Sequence, residues 1–231
     1  MYLKQLKNQL IVSCQALENE PLHSSEMMAK MALAAIEGGA KGIRANSIAD
    51  IKAIKQQVNV PIIGIIKQDY PDSDVYITPT IKEVKDLLFV GTNIIAMDAT
   101  MRRRPNDQRL KEMISFIREQ SAAMIMADIS TVDEAKRAEK LGFDCVSTTL
   151  VGYTEETNDQ HIATNDFTLL REIIAQLTIP VIAEGKIDSP QMALQALMNG
   201  AYFVVVGSAI TRPQIITKKF TDEMKKYSAN E

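Results

Sequence analysis

Eight short apolar runs, each separated from the next by an amphipathic stretch, constrain this chain more than any other feature. The runs are Leu10–Gln15, Gly42–Ala45, Pro61–Lys67, Ile94–Asp98, Ala123–Asp128, Cys145–Thr149, Pro180–Glu184 and Phe203–Gly207. Most read as nearly continuous Ile, Val, Ala and Met rather than as apolar–polar alternation, which is the pattern of parallel strands buried on both faces. Between them, Ser24–Glu37, Ile48–Gln57, Thr80–Val90, Gln108–Gln120, Thr131–Leu141, Asp166–Gln176 and Ser189–Met198 place apolar residues at helical spacing with charges between. Ser24, Thr131 and Ser189 stand where N-caps belong. Several helices run into a small or glycine-containing turn before the next strand, as in Leu141-Gly142-Phe143-Asp144 and Asn199-Gly200-Ala201-Tyr202. This cadence of helix, glycine and strand repeats about every 30 residues, the unit of a (β/α)8 TIM barrel. An open doubly wound sheet is the alternative fold. It would want a glycine-rich turn after the first strand, and Ser13–Asn19 offers none.

A chain of 231 residues with 46% hydrophobic content can bury one large core, so residues 1–231 are expected to form a single barrel domain. The net charge of -3 gives no electrostatic footprint for nucleic acid. The one basic cluster, Arg102-Arg103-Arg104, reads either as a solvated loop or as a substrate-facing segment. Cys14 and Cys145 both lie in apolar runs, which suits reduced, buried thiols better than a disulfide and points to the cytoplasm. The first residues carry no basic region followed by an apolar stretch, and no apolar run approaches the ~18 residues a membrane helix needs. Neither secretion nor membrane insertion is expected.

In a barrel of parallel strands the chemistry sits at the C-terminal strand ends, and the loops after the seventh and eighth strands commonly hold phosphate. Here those loops carry Gly185 and Gly207-Ser208, where backbone N–H groups can close on an anion because no side chain intervenes. Glu184 adds a carboxylate beside them. The other strand ends are polar as well: Gln15, Arg44, Lys67-Gln68-Asp69, Asp98, Asp128 and Thr148-Thr149. So many ionisable and amide groups at one mouth are stable only if paired with each other or with a ligand. Lys67 follows the apolar run Ile62-Ile63-Gly64-Ile65-Ile66, so its amine emerges at the rim. Burial and a neighbouring cation such as Arg44 would lower its pKa toward that of a working base, whereas Glu184 would raise it. An inward-facing Arg44 suits recognition of a hydroxyl or carbonyl. Asp98 and Asp128 either join the site or cap the loops that follow them.

Other chemistries fit less well. His23 and His161, the only histidines, lie off the strand ends and lack metal-ligand spacing, so no metal site is expected. Cys14 has no histidine at a matching strand end to act as its base. The twelve methionines read as core filler. The long polar loop Val151–Asn165, with Tyr153-Thr154 at its start, reads as an active-site lid or as a mobile surface excursion.

These residues also carry a family resemblance. Ile65-Ile66-Lys67, Tyr76-Ile77-Thr78-Pro79-Thr80, Asp98-Ala99-Thr100 with Arg103 and Pro105, and Met126-Ala127-Asp128-Ile129-Ser130 form its first half. Ser147-Thr148-Thr149-Leu150 with Gly152-Tyr153-Thr154, Ala183-Glu184-Gly185, and Gly207-Ser208-Ala209-Ile210-Thr211-Arg212-Pro213 complete it. In this order and spacing they resemble the N-acylglucosamine-6-phosphate 2-epimerases, the bacterial N-acetylmannosamine-6-phosphate 2-epimerases of sialic acid breakdown. The likeness runs from Leu10 to Pro213. It implies a (β/α)8 barrel, a phosphosugar substrate, epimerisation at the acetamido-bearing carbon, no metal or organic cofactor, and a homodimer. By the same resemblance Lys67 is the acid/base and Glu184 its assistant. Gln15, Arg44, Asp128 and Tyr153 then contact the sugar, and Gly185, Gly207, Ser208 and Arg212 hold the phosphate. A pentose-phosphate 3-epimerase is the competing enzyme, but the metal-binding histidines of that family are missing. A non-catalytic barrel whose rim charges only pair is the competing reading of another class.

Overall fold

The computed structural model describes residues 2–228. After a short helix α1 (Tyr2–Leu6), strands and helices alternate: β1 (Leu10–Cys14), α2 (Ser25–Glu37), β2 (Gly42–Asn46), α3 (Ile48–Gln57), β3 (Ile62–Ile65), α4 (Ile81–Val90), β4 (Ile94–Asp98) and α5 (Leu110–Gln120). The second half continues with β5 (Met124–Asp128), α6 (Val132–Leu141), β6 (Cys145–Ser147), α7 (Thr168–Gln176), β7 (Val181–Glu184), α8 (Pro190–Met198), β8 (Val204–Val206), α9 (Ser208–Thr211) and α10 (Pro213–Ser228). The strands pair in sequence order, every pair is parallel, and β8 returns to β1 to close the barrel. All eight expected strands are present. Several are shorter than the apolar runs that announced them, and the trimmed residues matter. Gln15 and Lys67 fall just beyond β1 and β3, where they are free to turn into the mouth.

Alternation along each strand divides the apolar residues between two cores, as the pleat requires. Ile11, Ile63, Ile65, Ile94, Met126, Ile182 and Val205 fill the barrel interior. Val12, Ile43, Ile62, Ile95, Ile125, Val146 and Val204 pack outward against the helices. Leu3 and Leu6 of α1 join the interior cluster beside Phe203, so this helix, not anticipated from its sequence, plugs the N-terminal end. Cys14 and Cys145 are buried free thiols. Burial pushes Cys14 up to about 12 and Cys145 well above the ordinary thiol value, so neither supplies a thiolate near neutral pH.

Helix starts follow local chemistry. Ser24, Thr131 and Ser189 each accept a hydrogen bond from the backbone of the first turn, and Thr80 and Thr131 form capping boxes with Glu83 and Glu134. The close approach of α4 to β3 depends on Gly64. A Cβ there would lie 2.3 Å from Thr92 Cγ2 and 3.0 Å from Leu87 Cδ2. Gly64→Ala is therefore expected to destabilise the fold by about 1–3 kcal/mol, the usual cost of overpacking, as a lowered urea midpoint at unchanged slope. A midpoint equal to that of the parent would show that Thr92 yields freely.

Candidate active site

A cavity of about 720 Å3 opens at the C-terminal ends of the strands. It brings together Gln15, Arg44, Lys67, Tyr153, Glu184, Gly185, Gly207, Ser208 and Arg212, which lie far apart in sequence. Asp128 is the exception among the expected site residues. It is completely buried, it does not line the cavity, and both its carboxylate oxygens are engaged by Arg44. Asp128 thus stands behind Arg44, with no surface on the cavity.

Arg44 organises the floor. Its side chain crosses from β2, with Nη2 donating to Asp128 Oδ2 at 2.6 Å and Nη1 donating to Asp128 Oδ1 at 3.0 Å. Nη1 also donates to Glu184 Oε2 at 2.8 Å. Burial alone would lower the guanidinium pKa, but the two carboxylates more than compensate and it stays charged. Burial raises the Glu184 carboxyl, Arg44 pulls it back and Asp128 pushes it up, leaving it above the ordinary range. The hydroxyls of Thr149 and Ser147 complete the network, at 2.8 Å from Asp128 and 3.3 Å from Glu184. Among the described residues, two buried side-chain polar atoms lack a partner, Arg44 Nε and Gln15 Oε1. One donor and one acceptor thus stand unsatisfied on residues that line the cavity.

Lys67 is held by its backbone. Its N–H donates to Asn46 Oδ1 at 2.8 Å, and the residue pairs with Ile77 across an isolated antiparallel bridge. Among the described residues its amine has neither a hydrogen bond nor an ion pair. Burial is the largest influence on it, followed by the charges of Arg44 and Arg212. Glu184 and Asp128 oppose these, and the lysine falls to about 8. The competition left open by the sequence is decided by burial.

The two glycine loops meet at the opposite side of the cavity. Gly185 has φ 108°, a conformation that strains other residues, and a Cβ there would sit 3.2 Å from the Thr148 carbonyl oxygen. Gly207 precedes α9, whose opening amides have no acceptor within the helix. Thr211 ties α9 to β1 through a 3.1 Å bond to the Ser13 carbonyl. Arg212 is oriented by Glu20 at 2.8 Å.

Tyr76, His161, Lys186 and Lys219 also line the cavity and were not singled out for it. They come from loop interiors and from α10, where strand-end logic gives no signal. Tyr76 is raised by burial and then by Asp128. Lys186 donates to the Gln160 carbonyl at 3.1 Å and lies 5.1 Å from the Tyr153 ring centroid, joining the loops after β6 and β7. The loop after β6 is no loose excursion. Val151, Thr154, Thr157 and Ile162 are buried, and Thr154 Oγ1 donates to Ser130 Oγ at 3.0 Å.

The arginine triplet and Asp98 lie outside the cavity. Arg102 pairs with Asp98 at 2.6 Å, and Arg103 pairs with Asp107 at 2.8 Å in solvent. Arg104 is buried and donates to the carbonyls of Thr78, Pro79 and Asp98. The triplet therefore lies away from this cavity, with Arg103 in solvent and Arg104 built into the fold. Among the described residues, no group of three His, Cys, Asp or Glu could hold a metal ion, and no helix is long and apolar enough to cross a membrane.

Comparison with known proteins agrees with this geometry. Residues 28–226 match the profile of the family described as "Putative N-acetylmannosamine-6-phosphate epimerase". A Listeria innocua relative is 54% identical over 225 residues, covering 97% of each chain. An Enterobacter relative is 56% identical over 224 residues, covering 96% of this chain and 95% of its own. Both are described as "Putative N-acetylmannosamine-6-phosphate 2-epimerase". The solved structure of the N-acetylmannosamine-6-phosphate 2-epimerase from Clostridium perfringens superposes with a TM-score of 0.91 at 53% identity, over 95% of each chain. A thiamine phosphate pyrophosphorylase from Pyrococcus furiosus shares the barrel alone, with a TM-score of 0.62 at 19% identity. Closed parallel barrel, polar mouth and end-to-end similarity agree, and the chain belongs to the N-acetylmannosamine-6-phosphate 2-epimerase family.

Proposed function

We propose that this protein interconverts N-acetylmannosamine 6-phosphate and N-acetylglucosamine 6-phosphate by removing and returning the proton on the acetamido-bearing carbon, in amino sugar catabolism. The observation that carries the reading is the Lys67 amine, unpaired and lowered to about 8, in a cavity it shares with two glycine loops and the Arg44–Glu184 ion pair. Ring opening of the substrate puts an aldehyde next to that carbon. The electron pair left by deprotonation then delocalises onto oxygen as an enolate.

In this reading Lys67 takes the proton and gives it back. The unpartnered Arg44 Nε–H donates to the oxygen on which charge develops, and Glu184 holds the sugar and positions the lysine. Asp128 acts through Arg44 by fixing the plane of its fork. Gln15 accepts a hydrogen bond from the sugar, and Tyr153 flanks it. Gly185, Gly207, Ser208 and Arg212 anchor the phosphate and so orient the distant reacting carbon. The residues present supply a base and a charge stabiliser, so the reaction is assigned no cofactor. The chain works as one domain in the cytoplasm, as a homodimer without nucleic-acid partners. The exposed apolar side chains Leu194, Met198, Phe220, Met224 and Tyr227 on α8 and α10 favour self-association.

Turnover in a coupled assay should be accompanied by deuterium incorporation at the epimerised carbon in heavy water. Product formed without exchange would overturn the enolate route. Because the free amine is the working base, kcat/KM should fall about tenfold per pH unit below about 8 and level off above it. Removing the Glu184 charge, which raises the lysine, should move this inflection to lower pH in Glu184→Gln as the rate drops. An unmoved inflection would detach it from Lys67.

A further inference from the structure

We propose that Lys67 is also a covalent capture site for phosphorylated aldehydes, forming a reversible imine while the glycine loops after β7 and β8 hold the phosphate. The proposal rests on the same placement of phosphate as the epimerase reading, but not on proton transfer. Three lysines line the cavity. Lys186 is engaged by the Gln160 carbonyl and the Tyr153 ring, and Lys219 by the Asp188 carboxylate at 2.9 Å. Among the described residues, Lys67 alone of the three has no partner, and a large share of it is unprotonated at mildly alkaline pH. A nucleophilic amine needs that free electron pair.

The step balances without a co-reactant. The Nζ lone pair attacks the aldehyde carbon and the C=O π pair moves to oxygen. One proton passes from nitrogen to that oxygen to give a neutral carbinolamine. A second proton, from solvent, goes onto the hydroxyl as the nitrogen lone pair expels it as water, leaving a protonated C=N bond whose N–H proton returns to solvent to give the imine. A sugar phosphate hides its aldehyde in a ring for most of its lifetime. A phosphorylated aldehyde that cannot cyclise presents it permanently. Such compounds would act as slow, reversible inhibitors competing with the phosphosugar.

The probe is pyridoxal 5′-phosphate, which carries an unhidden aldehyde beside a phosphate and serves only as a reagent. Incubation followed by borohydride reduction and peptide mass analysis should place the pyridoxyl phosphate mark on Lys67. Labelling should be about tenfold or more faster than with 5′-deoxypyridoxal, which has neither the phosphate nor the hydroxyl that would close a ring on the aldehyde, because the anchored phosphate raises the local aldehyde concentration. Inorganic phosphate should slow it, and Lys67→Arg, checked for native circular dichroism, should lose the mark. Labelling confined to surface lysines, or equal labelling by 5′-deoxypyridoxal, would overturn the proposal. Epimerase turnover is measured on the same unmodified preparation. An active enzyme without a Lys67 adduct defeats the imine alone, and an adduct on an inactive protein defeats the epimerase reading alone.

Discussion

Replacing Lys67 with methionine should lower turnover by about 10²–10⁴-fold, the range that a positioned acid/base contributes, while the barrel stays at least as stable as the parent. The two halves of that result have one cause. Burial lowers the lysine because its charged form is costly there, and its amine has no hydrogen bond to lose. Methionine keeps much of the apolar stem and removes the ammonium, so the site becomes easier to fold and unable to move a proton. Coupled turnover and thermal unfolding, measured side by side, check it. Undiminished turnover would remove Lys67 from the mechanism. A collapse of the melting temperature would mean that the side chain serves the fold instead.

Arg44→Met should do the opposite and cost about 3–5 kcal/mol of stability, as the loss of one partner from a buried ion pair does. Arg44 is 1% exposed and holds two buried carboxylates. Without it Asp128 and Glu184 keep only hydroxyl partners and each other's repulsion. Glu184, already raised by burial, would then rise further above its unfolded value. The native state binds more protons than the unfolded chain in that case, so stability falls as pH rises through the unfolded carboxylate range. The deficit in urea melts should accordingly be largest near neutral pH and shrink toward pH 5. Arg44→Met combined with Asp128→Asn should recover part of it. Equal stability of the single variant and the parent at neutral pH would refute the central role given to this guanidinium.

Most of the barrel was legible because parallel strands covered on both faces must be apolar throughout, and because caps such as Thr131 with Glu134 announce themselves locally. The helix α10 escaped notice. Its charged residues and exposed Phe220, Met224 and Tyr227 give no clean stripe facing the barrel. The mouth was legible as a set of strand ends, but their partners were not. That Arg44 takes both oxygens of Asp128, and that Asp98 turns aside to Arg102, depends on where side chains lie across the barrel. Arg104 is the extreme case. Its carbonyl partners at Thr78 and Pro79 are 26 and 25 positions away, and nothing in a run of three arginines distinguishes it from its neighbours.

The ion network on the floor of the cavity also bears on how the chain is made. Arg44 emerges early in synthesis, Asp128 follows 84 positions later and Glu184 140 positions later. A chain stopped after β6 has one counter-charge for Arg44 and an open seam. The contact with Glu184 thus rewards only the completed cylinder, so that a closed barrel is from its first moment a furnished one.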